Sequence, residues 1–66
     1  MIGVVKEGIV ANVYAEPNVD SMIICQIAGG NRVEVYLRQD IGKFCQIYTS
    51  MGVEGFCMRK YITVER

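Results

Sequence analysis

Gly29-Gly30 followed by Asn31-Arg32-Val33-Glu34-Val35-Tyr36-Leu37 reverses the chain once and then alternates between apolar and polar residues, and no other stretch constrains the fold as much. Adjacent glycines reach positive φ without a Cβ clash, which suits a tight reversal. Val33, Val35 and Leu37 then share one face of a strand and Glu34, Tyr36 and Arg38 the other, because successive side chains along a strand point to opposite sides. The apolar face needs partner strands to cover it. The 66 residues suffice for one domain, taken as 1–66, and a chain of this length removes only about 60% of its extended surface from water on folding. Local signals must therefore agree with one another for a single fold to win.

The partner strands are legible on both sides. Gln39-Asp40-Ile41-Gly42-Lys43 has the Asp and Gly content of a turn, and Phe44-Cys45-Gln46-Ile47-Tyr48 resumes the alternation. Setting Leu37 against Cys45 places Val35 against Ile47 on the core side. The same register sets Arg38 beside Phe44, Tyr36 beside Gln46 and Glu34 beside Tyr48 on the outer side. Ser50-Met51-Gly52-Val53 reads as a two-residue hairpin loop. Strict pairing across that loop sends Phe56 inward with Ile47, whereas a bulge near Gly55 would turn it outward; both directions stay open.

Upstream, Val4-Val5 and the stretch 9–14 carry the β-branched and aromatic residues of strands. Residues 15–21, with Pro17, form a surface loop. Met22-Ile23-Ile24-Cys25-Gln26-Ile27 is apolar at nearly every position, and its length and flanking glycines favour a strand over a short helix. Met58-Arg59-Lys60-Tyr61 breaks the alternation and predicts one helical turn before Ile62-Thr63-Val64 closes the sheet. Five or six short strands with closely spaced turns predict an all-β fold, a small antiparallel, partly open barrel.

Composition excludes several function classes. Seven Lys and Arg balance seven Asp and Glu with the signs interspersed, and the largest basic run is Arg59-Lys60. Nucleic acid is not an expected partner, since phosphate binding needs a net basic face. No run approaches a membrane span, and Met1-Ile2-Gly3-Val4-Val5-Lys6-Glu7 lacks the pattern of a signal peptide. The expected location is the cytoplasm as synthesised, with an extracellular role only through a parent chain or lysis. Cys25, Cys45 and Cys57 are odd in number, sit in apolar stretches and contain no Cys-x-x-Cys pair. With no histidine in the chain they read as small hydrophobes, so neither a metal, a cofactor nor a nucleophile is expected. Asp40 and Glu54 lie in or beside turns and make no paired acid and base. No residue set reads as catalytic.

In order along the chain, four motifs and a closing pair resemble the bacterial Src homology 3 domains, over nearly the whole sequence. Asn12-Val13-Tyr14-Ala15-Glu16-Pro17-Asn18 is similar to that family's Asn-Val-Arg-Ser-Gly-Pro-Ser, and Ile27-Ala28-Gly29-Gly30-Asn31-Arg32-Val33-Glu34-Val35 to its Leu-Lys-Lys-Gly-Thr-Lys-Val-Glu-Val. Phe44-Cys45-Gln46-Ile47 stands where the family has Trp-Tyr-Lys-Val, and Met51-Gly52-Val53-Glu54-Gly55-Phe56-Cys57 where it has Asn-Gly-Lys-Thr-Gly-Trp-Val. Tyr61-Ile62 matches its closing Tyr-Leu. The resemblance implies an SH3-like, partly open barrel acting as a noncatalytic binding module, often appended to cell-wall hydrolases, that recognises peptidoglycan or its peptides.

It also implies a groove along Tyr14, Phe44, Phe56 and Tyr61, flanked by Glu16, Arg38 and Arg59, that holds an extended peptide by stacking, apolar contact and charge pairing. The competing reading has some of these rings capping the core. Phe44 and Phe56 replace the family's tryptophans, keeping a stacking surface without the indole donor; Tyr14 replaces its arginine and Glu16 a glycine. The alternative function is an intracellular protein-interaction or self-assembly module, in which Met22 or Ile24 on an edge strand pairs with a protein peptide or forms a homo-oligomer.

Overall fold

Alternation after Gly30 becomes a strand with one buried face. In the computed structural model, which describes residues 1–65, that strand lies within a seven-stranded antiparallel sheet. The strands are β1 Ile2–Val5, β2 Val10–Tyr14, β3 Ile23–Ala28, β4 Arg32–Tyr36, β5 Phe44–Thr49, β6 Glu54–Met58 and β7 Ile62–Val64, with 3-10 turns at Gln39–Ile41 and Arg59–Tyr61. The spatial order is β3-β2-β6-β5-β4-β1-β7. Seven strands arise rather than five or six because a turn at Glu7-Gly8, with Gly8 at φ 81°, splits the N-terminal β-rich stretch in two.

The reversal at Gly29-Gly30 is pinned to that same turn. Gly30 adopts φ 89° and donates to the Val5 carbonyl at 2.7 Å, and Gly29 donates to Ile9 at 2.8 Å. A side chain on Gly29 would run into the Lys6 carbonyl and the Glu7 backbone. Glycine is required here for close approach as well as for the turn.

A flat sheet of seven strands would be about 29 Å wide and one layer thick. The molecule instead measures 25 × 22 × 21 Å, so the sheet is rolled. Its inner face encloses Val5, Ala11, Val13, Val33, Val35, Cys45, Ile47, Cys57 and Ile62, nearly all contributed by alternate strand positions. β3 and β7 end the order without pairing to each other, which leaves the barrel partly open.

Pairing of β4 with β5 follows the predicted register, with Glu34 opposite Tyr48, Val35 opposite Ile47 and Tyr36 opposite Gln46. The register does not extend to Leu37. β4 ends at Tyr36 and the chain leaves for the 3-10 turn, so Leu37 is 52% exposed while Ile41 of that turn is buried. Arg38 likewise lies outside the β4–β5 pairing with Phe44 that the sequence predicts.

The β5–β6 hairpin also differs from expectation. Its loop has three residues, Ser50-Met51-Gly52, closed by Thr49 N–H to Val53 O at 2.9 Å and Gly52 N–H to Thr49 O at 3.0 Å. Gly52 sits at φ 83°, the left-handed position that follows the turn in three-residue loops. The Thr49 hydroxyl accepts from the amides of Met51 and Val53. One extra loop residue shifts the pairing by one, so Ile47 faces Gly55, Gln46 faces Phe56 and Cys45 faces Cys57. The loop itself turns Phe56 outward.

β3 is a strand, as its length suggests, but it is an edge rather than a buried one. Cys25 and Ile27 pack against the core, whereas Met22, Ile23 and Ile24 are exposed. A bulge where Val13 pairs with Cys25 and Tyr14 with Ile23 leaves Ile24 as the extra residue.

Candidate functional site

Period-two geometry sets one ring-bearing row across the outer face of the barrel. Tyr36 pairs with Gln46, Gln46 with Phe56, and Phe56 with Tyr14, so the row crosses β4, β5, β6 and β2. Beside it, Glu34 pairs with Tyr48 and Tyr48 with Glu54. Phe44 shares the outer face of β5 with Gln46 and Tyr48 and meets the Tyr14 ring edge-on, at 5.8 Å and 87°. That T-shaped contact sets the positive edge of one ring against the face of the other.

Tyr14, Phe44 and Phe56 are thus brought together. They differ in what they can offer a ligand. Tyr14 and Phe56 are half-buried and present surface, while Phe44 is only 7% exposed and acts as the floor beneath Tyr14. Tyr61, in the second 3-10 turn, is half-buried against the core, with the Lys60 ammonium 5.1 Å from its ring centroid.

The charged residues divide in the same way. Arg38 donates to both oxygens of Asp40, at 3.0 and 2.6 Å, and to the Gln46 carbonyl oxygen at 3.2 Å. Gln46 passes the chain on, donating to Glu54 at 2.8 Å. This polar line fixes the Gln46 side chain between the rings of the aromatic row. The Arg38 hydrogen bond holds the Asp40 carboxyl below its ordinary value, and the same bond raises the Arg38 guanidinium.

Arg59 points back to the strands. Its Nε donates to Phe44 O at 3.0 Å and an Nη to Arg38 O at 2.7 Å, so it braces the start of β5 against the segment before the first 3-10 turn. Glu16 follows Tyr14 in the loop, where its backbone amide and carbonyl bond to the Ser21 hydroxyl and its side chain remains exposed.

Two surface hollows adjoin these groups. One of about 380 Å³ is lined by Lys43, Met58, Arg59 and Lys60, and one of about 420 Å³ includes Ile2, Glu34, Tyr36 and Tyr48. Lys43 did not figure among the sequence candidates. Its signal lay in the β5–β6 register, because pairing Phe44 with Met58 sets Lys43 beside Arg59, and one loop residue decides that register.

A rolled antiparallel sheet that carries its polar and aromatic side chains on the outside, above a core filled by small apolar ones, defines a small β-barrel of the kind that presents a surface to a ligand. The model of the bacterial SH3 domain family matches residues 9–63, and the chain belongs to that family, whose members are generally binding modules. No curated protein matches the chain.

Proposed function

We propose that this domain is a noncatalytic module that holds an extended peptide across its outer aromatic face, with cell-wall peptidoglycan or its peptides as the ligand class. The observation that carries this reading is the contiguity of Tyr14, Phe44 and Phe56 beside the Arg38–Gln46–Glu54 line. Rings supply stacking area at low entropic cost, and the ordered amide and charges beside them supply hydrogen bonds to a peptide backbone. Retention of the purified domain on isolated bacterial walls tests the reading. Phe56→Ala and Tyr14→Ala, both at half-exposed positions, should lose most of the retention while keeping a cooperative melt; retention unchanged by either, or none in the parent protein, rejects it.

A second reading is favoured by β3. This edge strand exposes Met22, Ile23 and Ile24, at 72%, 48% and 39%, and has no charged residue from 22 to 28. Edge strands usually carry charges, proline or bulges that block further pairing. Here only the bulge near Ile24 serves that end. A protein partner or a second copy would pair along this edge, and sedimentation across a concentration range discriminates: a strict monomer removes self-assembly.

A further inference from the structure

We propose that Lys43, Arg59 and Lys60 form a subsite for the terminal carboxylate of a bound peptide; the inference rests on the peptide-binding reading above and names one end of the ligand. Folding assembles the three cations from two segments. The Arg59 amide donates to Lys43 O at 2.8 Å, which holds the residue before β5 against the turn after β6. The hollow they line measures about 380 Å³, and Met58 together with the aliphatic stems of the Lys and Arg side chains forms most of its wall.

Among the described residues, no carboxylate lies within ion-pair distance of any of the three. The two ion pairs among the described residues, Arg32–Glu65 and Arg38–Asp40, lie elsewhere. Three cationic residues around one hollow give it a positive potential that attracts an anion. The arrangement also departs from a neutral chain whose signs are otherwise interspersed.

Arg59 is held in place before any ligand arrives. Two of its five N–H donors are used on Phe44 O and Arg38 O, which fixes the guanidinium plane and leaves donors free. A pre-set fork loses little side-chain freedom on binding and matches the two oxygens of a carboxylate. Lys60 is positioned over the Tyr61 ring, at 5.1 Å.

The hollow also lies at the end of the aromatic face. Phe56 and Met58 occupy successive outward positions of β6, and Phe44, whose ring meets Tyr14, is the residue whose carbonyl receives Arg59 Nε. A peptide that runs along β6 over Phe56 reaches Met58 next, and its terminal carboxylate then meets the three cations.

The test is an amide-resolved NMR titration of the whole chain with acetyl-trialanine as the free acid, its C-terminal amide, and inorganic phosphate. The free acid is expected to shift the amides of Lys43, Met58, Arg59 and Lys60 and to bind about tenfold more tightly than the amide, as suits a charge-assisted contact. Lys43→Gln with Lys60→Gln, both at exposed positions, should abolish that preference and its salt dependence without lowering the melting temperature. Equal affinity for acid and amide, shifts confined to other residues, or tighter binding of phosphate than of the free acid each overturns the proposal. Wall retention separates the two readings: a domain that stays on walls but ignores the free acid loses this inference alone, and one that binds the free acid but not walls loses the wall ligand alone.

Discussion

Cys45 and Cys57 face each other across β5 and β6 with 1% and 0% of their surfaces exposed. Burial raises both thiols, and the neighbouring Cys45 adds to the rise at Cys57, which reaches about 12 against an ordinary 9.0. Raised folded values mean that the native state keeps these protons longer than the unfolded chain does. The stabilisation they carry is complete below about pH 9 and is lost as the pH climbs towards 12. Chemical denaturation at stepped pH should show constant stability from 7 to 8.5 and a fall above 9. In native protein a thiol reagent should modify half-buried Cys25 before the other two, with mass spectrometry of the digest as the readout. Gly55 gives a second prediction at this scale. A Cβ there would lie 2.5 Å from Val13 Cγ1 and 2.9 Å from Tyr14 O. Gly55→Ala should cost about 1–3 kcal/mol by overpacking, read as a melting temperature lower by roughly 4 °C or more for a domain of this size.

Strands and their partners were the most legible elements, and the reasons differ where legibility stopped. Val33, Val35, Cys45 and Ile47 could be placed inward from sequence because period two leaves no freedom once one face is apolar. Leu37 continued the same pattern, yet its strand ended one residue earlier, and nothing in the alternation encodes where hydrogen bonding stops. Phe56 was open because a bulge near Gly55 could reverse the inward direction that a two-residue loop gives it; the structure instead reverses it with a three-residue loop. The third loop residue turns that side chain from the core to the surface and, through the same register, brings Lys43 to Arg59. The candidate site was therefore readable as residue types, while its layout depended on registers that the alternation does not encode. Tyr14, Phe44 and Phe56 gather on the outer face; Tyr61 and Arg59 sit in the second 3-10 turn, from which Arg59 bonds back to Phe44 and Arg38. The loop makes its own prediction: Gly52→Ala places a side chain at φ 83° and should cost about 1–2 kcal/mol, measured by denaturant titration, with the aromatic face unchanged in the amide spectrum. At β3, Ile24→Lys adds the charge the edge lacks, and it should leave sedimentation unchanged if the strand has no partner.

For the whole molecule, a small barrel buries its apolar residues on one face of a single sheet and leaves the other face to carry function. That division lets the surface vary without disturbing the core. Tyr14 and Phe56 give the aromatic face its accessible ring surface beside buried Phe44, and the ordered Gln46 between Arg38 and Glu54 supplies hydrogen-bonding groups next to it. The uncharged β3 edge lies beyond β2, at the opposite end of the strand order from β7. The two functional readings therefore predict different footprints on one molecule. Amide shift mapping with solubilised wall peptides tests the central claim most directly. Peptide binding to the aromatic face predicts shifts clustered at Tyr14, Gln46, Phe56 and Met58; shifts confined to residues 22–28, or none at millimolar peptide, would contradict it.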